Sequence, residues 1–190
     1  MEPQERLIQI IEKNDMLMQV FDRVSGLGLE SYYVGAGCIV QTVWNALTHR
    51  PLNYGIGDID LVYFDDRDLS YEAEDQVIGK IQRRLADLPI AMDIKNQARV
   101  HLWYKDKYGI ELAPYPTLER AIDTWPTTAT AIAARKNEQG IWQVYAPFGF
   151  EDLFSLTVRA NKKMITKEIY LKKADKWKAK WPELNVIPWA

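Results

Sequence analysis

The chain has 190 residues, 47% of them apolar, and a chain of that length buries roughly 70% of the surface its unfolded form exposes, so a self-sufficient core is expected and disorder is excluded. Its 7 Trp and 10 Tyr supply enough large side chains to fill that core and still line a cleft. The formal net charge of −2 argues against a protein built chiefly to hold nucleic acid through bulk charge.

A lone cysteine, Cys38, excludes an internal disulfide and a multi-thiolate metal site and fits a reducing compartment. The start, Met1 to Arg6, is polar, and no stretch approaches 18 apolar residues, so neither a secretory signal nor a membrane span is expected and the expected location is the cytoplasm.

In chain order, Leu7, Ile10, Ile11, Leu17, Phe21 and Val24 recur at mostly helical intervals and predict one amphipathic helix over 3–25, closed by Gly26 and Gly28. Ser31 to Val34 reads as a strand, Gly35-Ala36-Gly37 as a turn, and Cys38 to Leu47 as a buried helix. After a loop with Pro51, Asn53, Gly55 and Gly57, the run Asp58 to Phe64 is β-rich enough to be a central strand. Ser70 caps a helix whose inward stripe is Ala73, Val77, Ile78, Ile81, Leu85 and Leu88. Ile90 to Ile94 is a third strand, and Ala98 to Lys107 a short helix presenting Arg99 and His101 beside Trp103. Thr130 to Arg135 and Ile141 to Ala146 flank Asn137-Glu138-Gln139-Gly140 as a β-hairpin. Thr166 to Trp181 predicts a lysine-rich helix that turns Ile169, Tyr170, Ala174, Trp177 and Trp181 to the body. Without an internal repeat or a low-complexity linker, the chain reads as a single α/β domain over 1–190, with a core at about 30–105 and a hairpin and helical decoration over 115–190.

Asp58 and Asp60 stand two apart on a predicted strand, so both carboxylates leave one face with Cα atoms about 6.6 Å apart. Such a pair resists burial unless a hard cation takes its oxygens. A chance Asp-x-Asp is common at this length, and Asp66-Arg67-Asp68 in its turn context is such a case. Asp58 and Asp60 gain weight from their surroundings. Upstream, the turn at Gly35 and Gly37 opens a helix whose N-terminus suits a phosphate, although a purely structural turn has the same look. Downstream, Asp93 is either a third ligand on the Asp58 face or a surface carboxylate beside Lys95.

The runs V-G-A-G-C-I-V-Q-T-V-W-N-A-L, G-I-G-D-I-D-L-V-Y-F-D and A-M-D-I resemble the core of the polymerase-β-type nucleotidyltransferases. With R-V-H-L-W-Y, A-I-D-T-W-P-T-T-A-T-A-I, Y-A-P-F-G-F-E-D-L-F and the tryptophan-rich last helix, the chain is similar to the small stand-alone bacterial members, a group without an established substrate. The resemblance implies an α+β fold with a mixed sheet flanked by helices. It also implies Asp58, Asp60 and Asp93 as catalytic ligands of Mg²⁺ or Mn²⁺, and Gly35, Ala36 and Gly37 as the phosphate turn. Two departures stand out: Ala36 separates the glycines, where the superfamily turn is usually Gly-Gly or Gly-Ser, and the gap from Gly37 to Asp58 is long.

The implied reaction moves a nucleoside monophosphate from a nucleoside triphosphate to a hydroxyl acceptor, which is a small molecule, an RNA or a protein, by a two-metal mechanism. Arg99 is a candidate for a phosphate, and Thr127, Thr128 and Thr130 for the nucleotide, while His101 suits a cap as well as a contact to a base or acceptor. Between Thr157 and Trp181 nine basic residues face two acidic ones. That tail is either a guide for RNA phosphates or a solvated helix face. Two rival readings share the acidic site: a catalytically silent nucleotide-binding or protein-interaction module, and a metal-dependent phosphohydrolase.

Overall fold

The structure, a computed structural model, describes residues 1–190. Two helices open the chain, α1 (Pro3–Ile11) and α2 (Asp15–Ser25), where the sequence predicts one. The break falls at Asn14, whose side chain accepts a hydrogen bond from the Leu17 backbone N–H and donates to Thr42 Oγ1 at 3.0 Å. A buried Asn at an N-cap satisfies donors that a continuous helix would leave no reason to expose, so the cap ends one helix and starts the next. Apolar spacing runs through the break because both helices face the same core.

The rest of the chain follows as β1 (Tyr32–Gly35), α3 (Gly37–Leu47), β2 (Asp58–Tyr63), α4 (Tyr71–Arg84) and β3 (Ala91–Asn96). A 3₁₀ turn (Gln97–Leu102) and α5 (Tyr104–Tyr108) replace the single helix expected over 98–107; α6 (Leu118–Ile122) comes next. β4 (Ala133–Lys136), β5 (Trp142–Tyr145), α7 (Glu151–Phe154), β6 (Thr157–Val158), α8 (Lys167–Lys180) and β7 (Asn185–Val186) complete it. Ser70 caps α4 through Ala73 N–H and Thr166 caps α8 through Ile169 N–H, as hydroxyls at those positions should.

Five strands make one mixed sheet in the order β3-β2-β1-β4-β5. β2 and β3 are parallel and need the α4 crossover; the other neighbours are antiparallel. The hairpin β4–β5, expected as an addition outside the core, is the outer half of this sheet, because β4 pairs with β1 through Val34–Ala134 and Gly35–Ala133. Sheet pairing between segments a hundred residues apart leaves no mark on local composition.

The two faces of the sheet differ. Tyr32, Val34, Ile59, Leu61, Tyr63 and Ile94 point into the main core, which α1, α2, α3 and α8 share. The other face carries Tyr33, Val62 and Ala133 under α6, a smaller apolar cluster that covers only part of it. The uncovered remainder of this second face is where the acidic residues lie.

The C-terminal end of α8 and the Trp181 that follows it lock the loop that leads into β2. Trp181, fully buried, meets Trp44 with ring centroids 5.4 Å apart and donates from Nε1 to Asn45 Oδ1 at 2.8 Å. Asn45 in turn donates to the carbonyls of Leu52 and Tyr54, and Lys180 Nζ to that of Gly55. Gly55 has φ +74, and a Cβ there would stand 2.7 Å from the Trp181 ring. That close approach fixes the chain only three residues before Asp58.

Candidate functional site

Register settles which carboxylates share a face. β2 and β3 pair Asp60 with Asp93 and Asp58 with Ala91, and β1 sets Gly35 opposite Asp60. Asp58, Asp60 and Asp93 therefore leave the same side of the sheet, at the end where α3 begins. Lys95 is two residues beyond Asp93 and points the same way, and its Nζ binds Asp93 Oδ2.

Asp58 is exposed, whereas Asp60 is enclosed by protein on most sides and opens only onto the cleft. Burial first, then the charges of Asp58 and Asp93, push the Asp60 carboxyl up to about 7; Lys95 and Lys173 oppose the shift without cancelling it. Three carboxylates stand against two lysines here, and burial makes the charge on Asp60 costly to hold.

A divalent cation meets that condition, and the donors available are hard carboxylate oxygens of the kind Mg²⁺ and Mn²⁺ take. Asp58 and Asp60 are free to supply them. Asp93 is held by Lys95, and no three acidic, His or Cys side chains close around one point as the chain stands. The Asp58–Asp60 pair has donors that suit such a cation, and Asp93 stands on the same face, paired with Lys95.

Three different physical situations meet in the glycine turn. A Cβ on Gly35 would lie 2.8 Å from the Trp125 ring and 2.9 Å from Ala133 Cβ, so this glycine is demanded by packing across the sheet. Ala36 has φ 53 and ψ −130, the conformation of the first central residue of a type II′ turn, where glycine is usual. Its N–H donates to Ile132 O at 2.9 Å, and this bond to the chain just before β4 helps hold the strained backbone in place. Gly37 begins α3, and the nearest neighbour of an added Cβ is the flexible Gln41 side chain, at 3.1 Å. No side chain caps α3, which leaves its N-terminus to the acidic end of the sheet.

Beside Asp60 opens a cavity of about 260 Å³. Asp60, Lys95 and Lys173 are its charged lining, and Trp103, Tyr104, Tyr108, Tyr115 and Trp125 bring five aromatic rings to its wall. The wall is tied down by hydrogen bonds. Asn161 Nδ2 donates to the carbonyls of Asp123 and Trp125, both at 2.9 Å, Tyr104 Oη to Met164 O at 2.8 Å, and the hydroxyls of Tyr115 and Thr124 lie 2.7 Å apart.

Other residues singled out from the sequence lie elsewhere. Arg99 is not positioned for a phosphate: its guanidinium is buried against Glu74 and donates from Nε to Leu69 O at 2.8 Å, joining the 3₁₀ turn to α4. Thr127 is fully buried and shares a hydrogen bond with Thr130 within the chain before β4, while Thr128 donates to Asp152 Oδ2 at 2.6 Å and ties that chain to α7. His101 stands outside the cavity with its Nδ1 buried and unpartnered. Asp66-Arg67-Asp68 is a turn, with Arg67 paired to Asp65 and Asp68 accepting from Ser70 N–H.

Lys95, Gln97, Trp125 and Lys173 escape the sequence reading. Lys95 was within reach, since it alternates with Asp93 on one strand face. Lys173 is indistinguishable in sequence from its solvated neighbours on α8, and only the packing of that helix brings it to Asp60.

No helix of the chain is long and apolar enough to cross a membrane. No curated protein matches it. A solution NMR structure described as revealing a CCA-adding enzyme head domain is similar in fold, with a TM-score of 0.77 over 97% of this chain and 96% of that one at 22% identity. A family model described as nucleotidyltransferase matches residues 22–186, which takes in every strand and helix of the site. The chain belongs to the nucleotidyltransferase family.

Proposed function

We propose that the protein transfers a nucleoside monophosphate from a nucleoside triphosphate to a hydroxyl acceptor at the Asp58, Asp60 and Asp93 end of the sheet. The observation that carries this reading is the shared face of the three carboxylates beside the uncapped start of α3. Asp58 and Asp60 would hold Mg²⁺ or Mn²⁺, which supplies Lewis-acid stabilisation of the entering and leaving oxygens. Ala36 and Gly37 present the first turn of α3 to the triphosphate, whose charge the helix dipole favours. The acceptor oxygen forms a bond to the α-phosphorus, the bond to the pyrophosphate oxygen breaks, and the hydroxyl proton passes to Asp93. Lys95, released from Asp93 as the triphosphate arrives, turns to the phosphate oxygens, so one exchange both frees the base and neutralises the substrate.

One observation favours a second reading, a nucleotide-binding module without turnover: Asp93 is paired with Lys95, and the three carboxylates do not close into a ligand set. Asp93→Asn separates the two. In a transferase this change keeps triphosphate affinity within a few fold, while transfer falls by orders of magnitude, because the lost interaction develops only as the hydroxyl gives up its proton. Transfer is read by mass spectrometry after incubating the protein with each nucleoside triphosphate, Mg²⁺, and RNA or cell extract. A wild type that binds triphosphate but adds no nucleotidyl mass to any acceptor, with an Asp93→Asn variant that behaves identically, would establish the silent module.

A further inference from the structure

The aromatic cavity beside Asp60 contains a polar group that the catalytic reading does not use. Gln97 is only 7% exposed, and its side-chain amide makes no hydrogen bond within the protein. Its neighbour Asn96, also buried, shows what such an amide ordinarily does here: it donates to Asp65 O and accepts from Asp65 N–H and Ala98 N–H. A buried amide without partners costs free energy unless something else fills its bonding capacity. The Gln97 amide atoms are not sealed in protein, and the residue lines the cavity.

We propose that Gln97 reads the edge of a nucleobase that enters this cavity and lies against its aromatic wall; the inference rests on the transferase reading for the role of that base. A carboxamide offers a donor and an acceptor side by side, and each nucleobase carries an adjacent donor and acceptor to match. Trp103, Tyr104 and Trp125 bring aromatic rings to the cavity wall, the side chains on which bases stack in proteins. The cavity, at about 260 Å³, has room for a base and the start of its sugar. Lys173 and Lys95 at the Asp60 side meet the phosphate end of such a ligand. Stacking accepts any base, whereas the fixed place of the Gln97 amide favours the base whose donor and acceptor come to face it.

The base belongs either to the triphosphate or to the acceptor, and one set of titrations separates these. Calorimetry with Mg²⁺ and the four non-hydrolysable nucleoside triphosphate analogues is compared with inorganic tripolyphosphate and with free nucleosides, for the wild type and for Gln97→Met, which keeps the side-chain bulk. Gln97→Met is expected to weaken the preferred base-bearing ligand about tenfold and to level the differences between bases, leaving tripolyphosphate binding unchanged. Nucleoside that displaces the preferred analogue assigns the cavity to the triphosphate donor; nucleoside that binds together with it assigns the cavity to the acceptor. Trp103→Leu, which removes a stacking face and leaves the amide, should weaken all bases alike. Equal binding of all analogues and tripolyphosphate by the wild type, unchanged in a folded Gln97→Met protein, would overturn the assignment. Loss of nucleotidyl transfer as an activity, with Gln97-dependent nucleoside binding intact, would overturn the transferase reading and leave this one standing.

Discussion

Asp60→Asn should stabilise the metal-free protein at neutral pH, although it abolishes the site. A carboxyl whose pKa is higher in the folded than in the unfolded chain binds its proton more tightly when folded. Its stabilising contribution is complete below the unfolded value of about 4 and is lost as pH rises to the folded value of about 7. At 1.36 kcal/mol per pH unit, three units correspond to about 4 kcal/mol. Because the carboxyl opens onto the cleft and water reaches it, we expect about 2–4 kcal/mol of this cost to be realised. Asparagine keeps the shape, removes the charge, and relieves the repulsion with Asp58 and Asp93. Urea unfolding in chelator at pH 7.5 and at pH 5 measures both parts: the wild type should gain stability on acidification to pH 5, and the variant should exceed the wild type at pH 7.5 with a much smaller response to pH. Adding Mg²⁺ should then stabilise the wild type and leave the variant unmoved. A variant no more stable than the wild type at pH 7.5, or a wild type that loses stability between pH 7.5 and pH 5, would refute the account of Asp60 as a carboxyl held buried beside two others.

Ala36→Gly should raise stability by about 1 kcal/mol, the relief of a strained φ less the entropy that glycine adds to the unfolded chain; a lower melting temperature would show that the Ala36 methyl group contributes packing that outweighs the strain. Arg99→Met should cost about 3–5 kcal/mol by leaving Glu74 buried without its partner, while the folded fraction binds nucleoside triphosphate with wild-type affinity. A selective loss of triphosphate affinity in a stable Arg99→Met protein would return this residue to the phosphate site.

Much of the site was legible because its residues lie on regular elements. The i, i+2 alternation of a strand puts Asp58 and Asp60 on one face whatever surrounds them, and Ser70 and Thr166 announce their helices through the hydrogen bonds a cap must make. Break points were harder, since the apolar stripe of residues 3–25 runs on through the Asn14 cap and its period carries no sign of the interruption. Arg99, Thr127 and Thr128 misled for a different reason. A guanidinium or hydroxyl near a motif looks the same whether its donors face a ligand or a carboxylate of the fold, and Glu74, Thr130 and Asp152 had already taken them.

By itself, then, the sequence determined the strands and long helices around the site, the acidic pair and its strand, and the turn before α3, because those follow from local backbone geometry and side-chain period. Only the tertiary structure decided that β3 registers Asp93 against Asp60, that the hairpin closes onto β1, and that Lys173 reaches the cleft. It also decided that Lys95 holds Asp93 and that Gln97 is buried with a free amide. Each of these depends on which distant segment comes to lie beside a residue, and a carboxylate's charge or an amide's bonding is set by that neighbour and by the water it excludes.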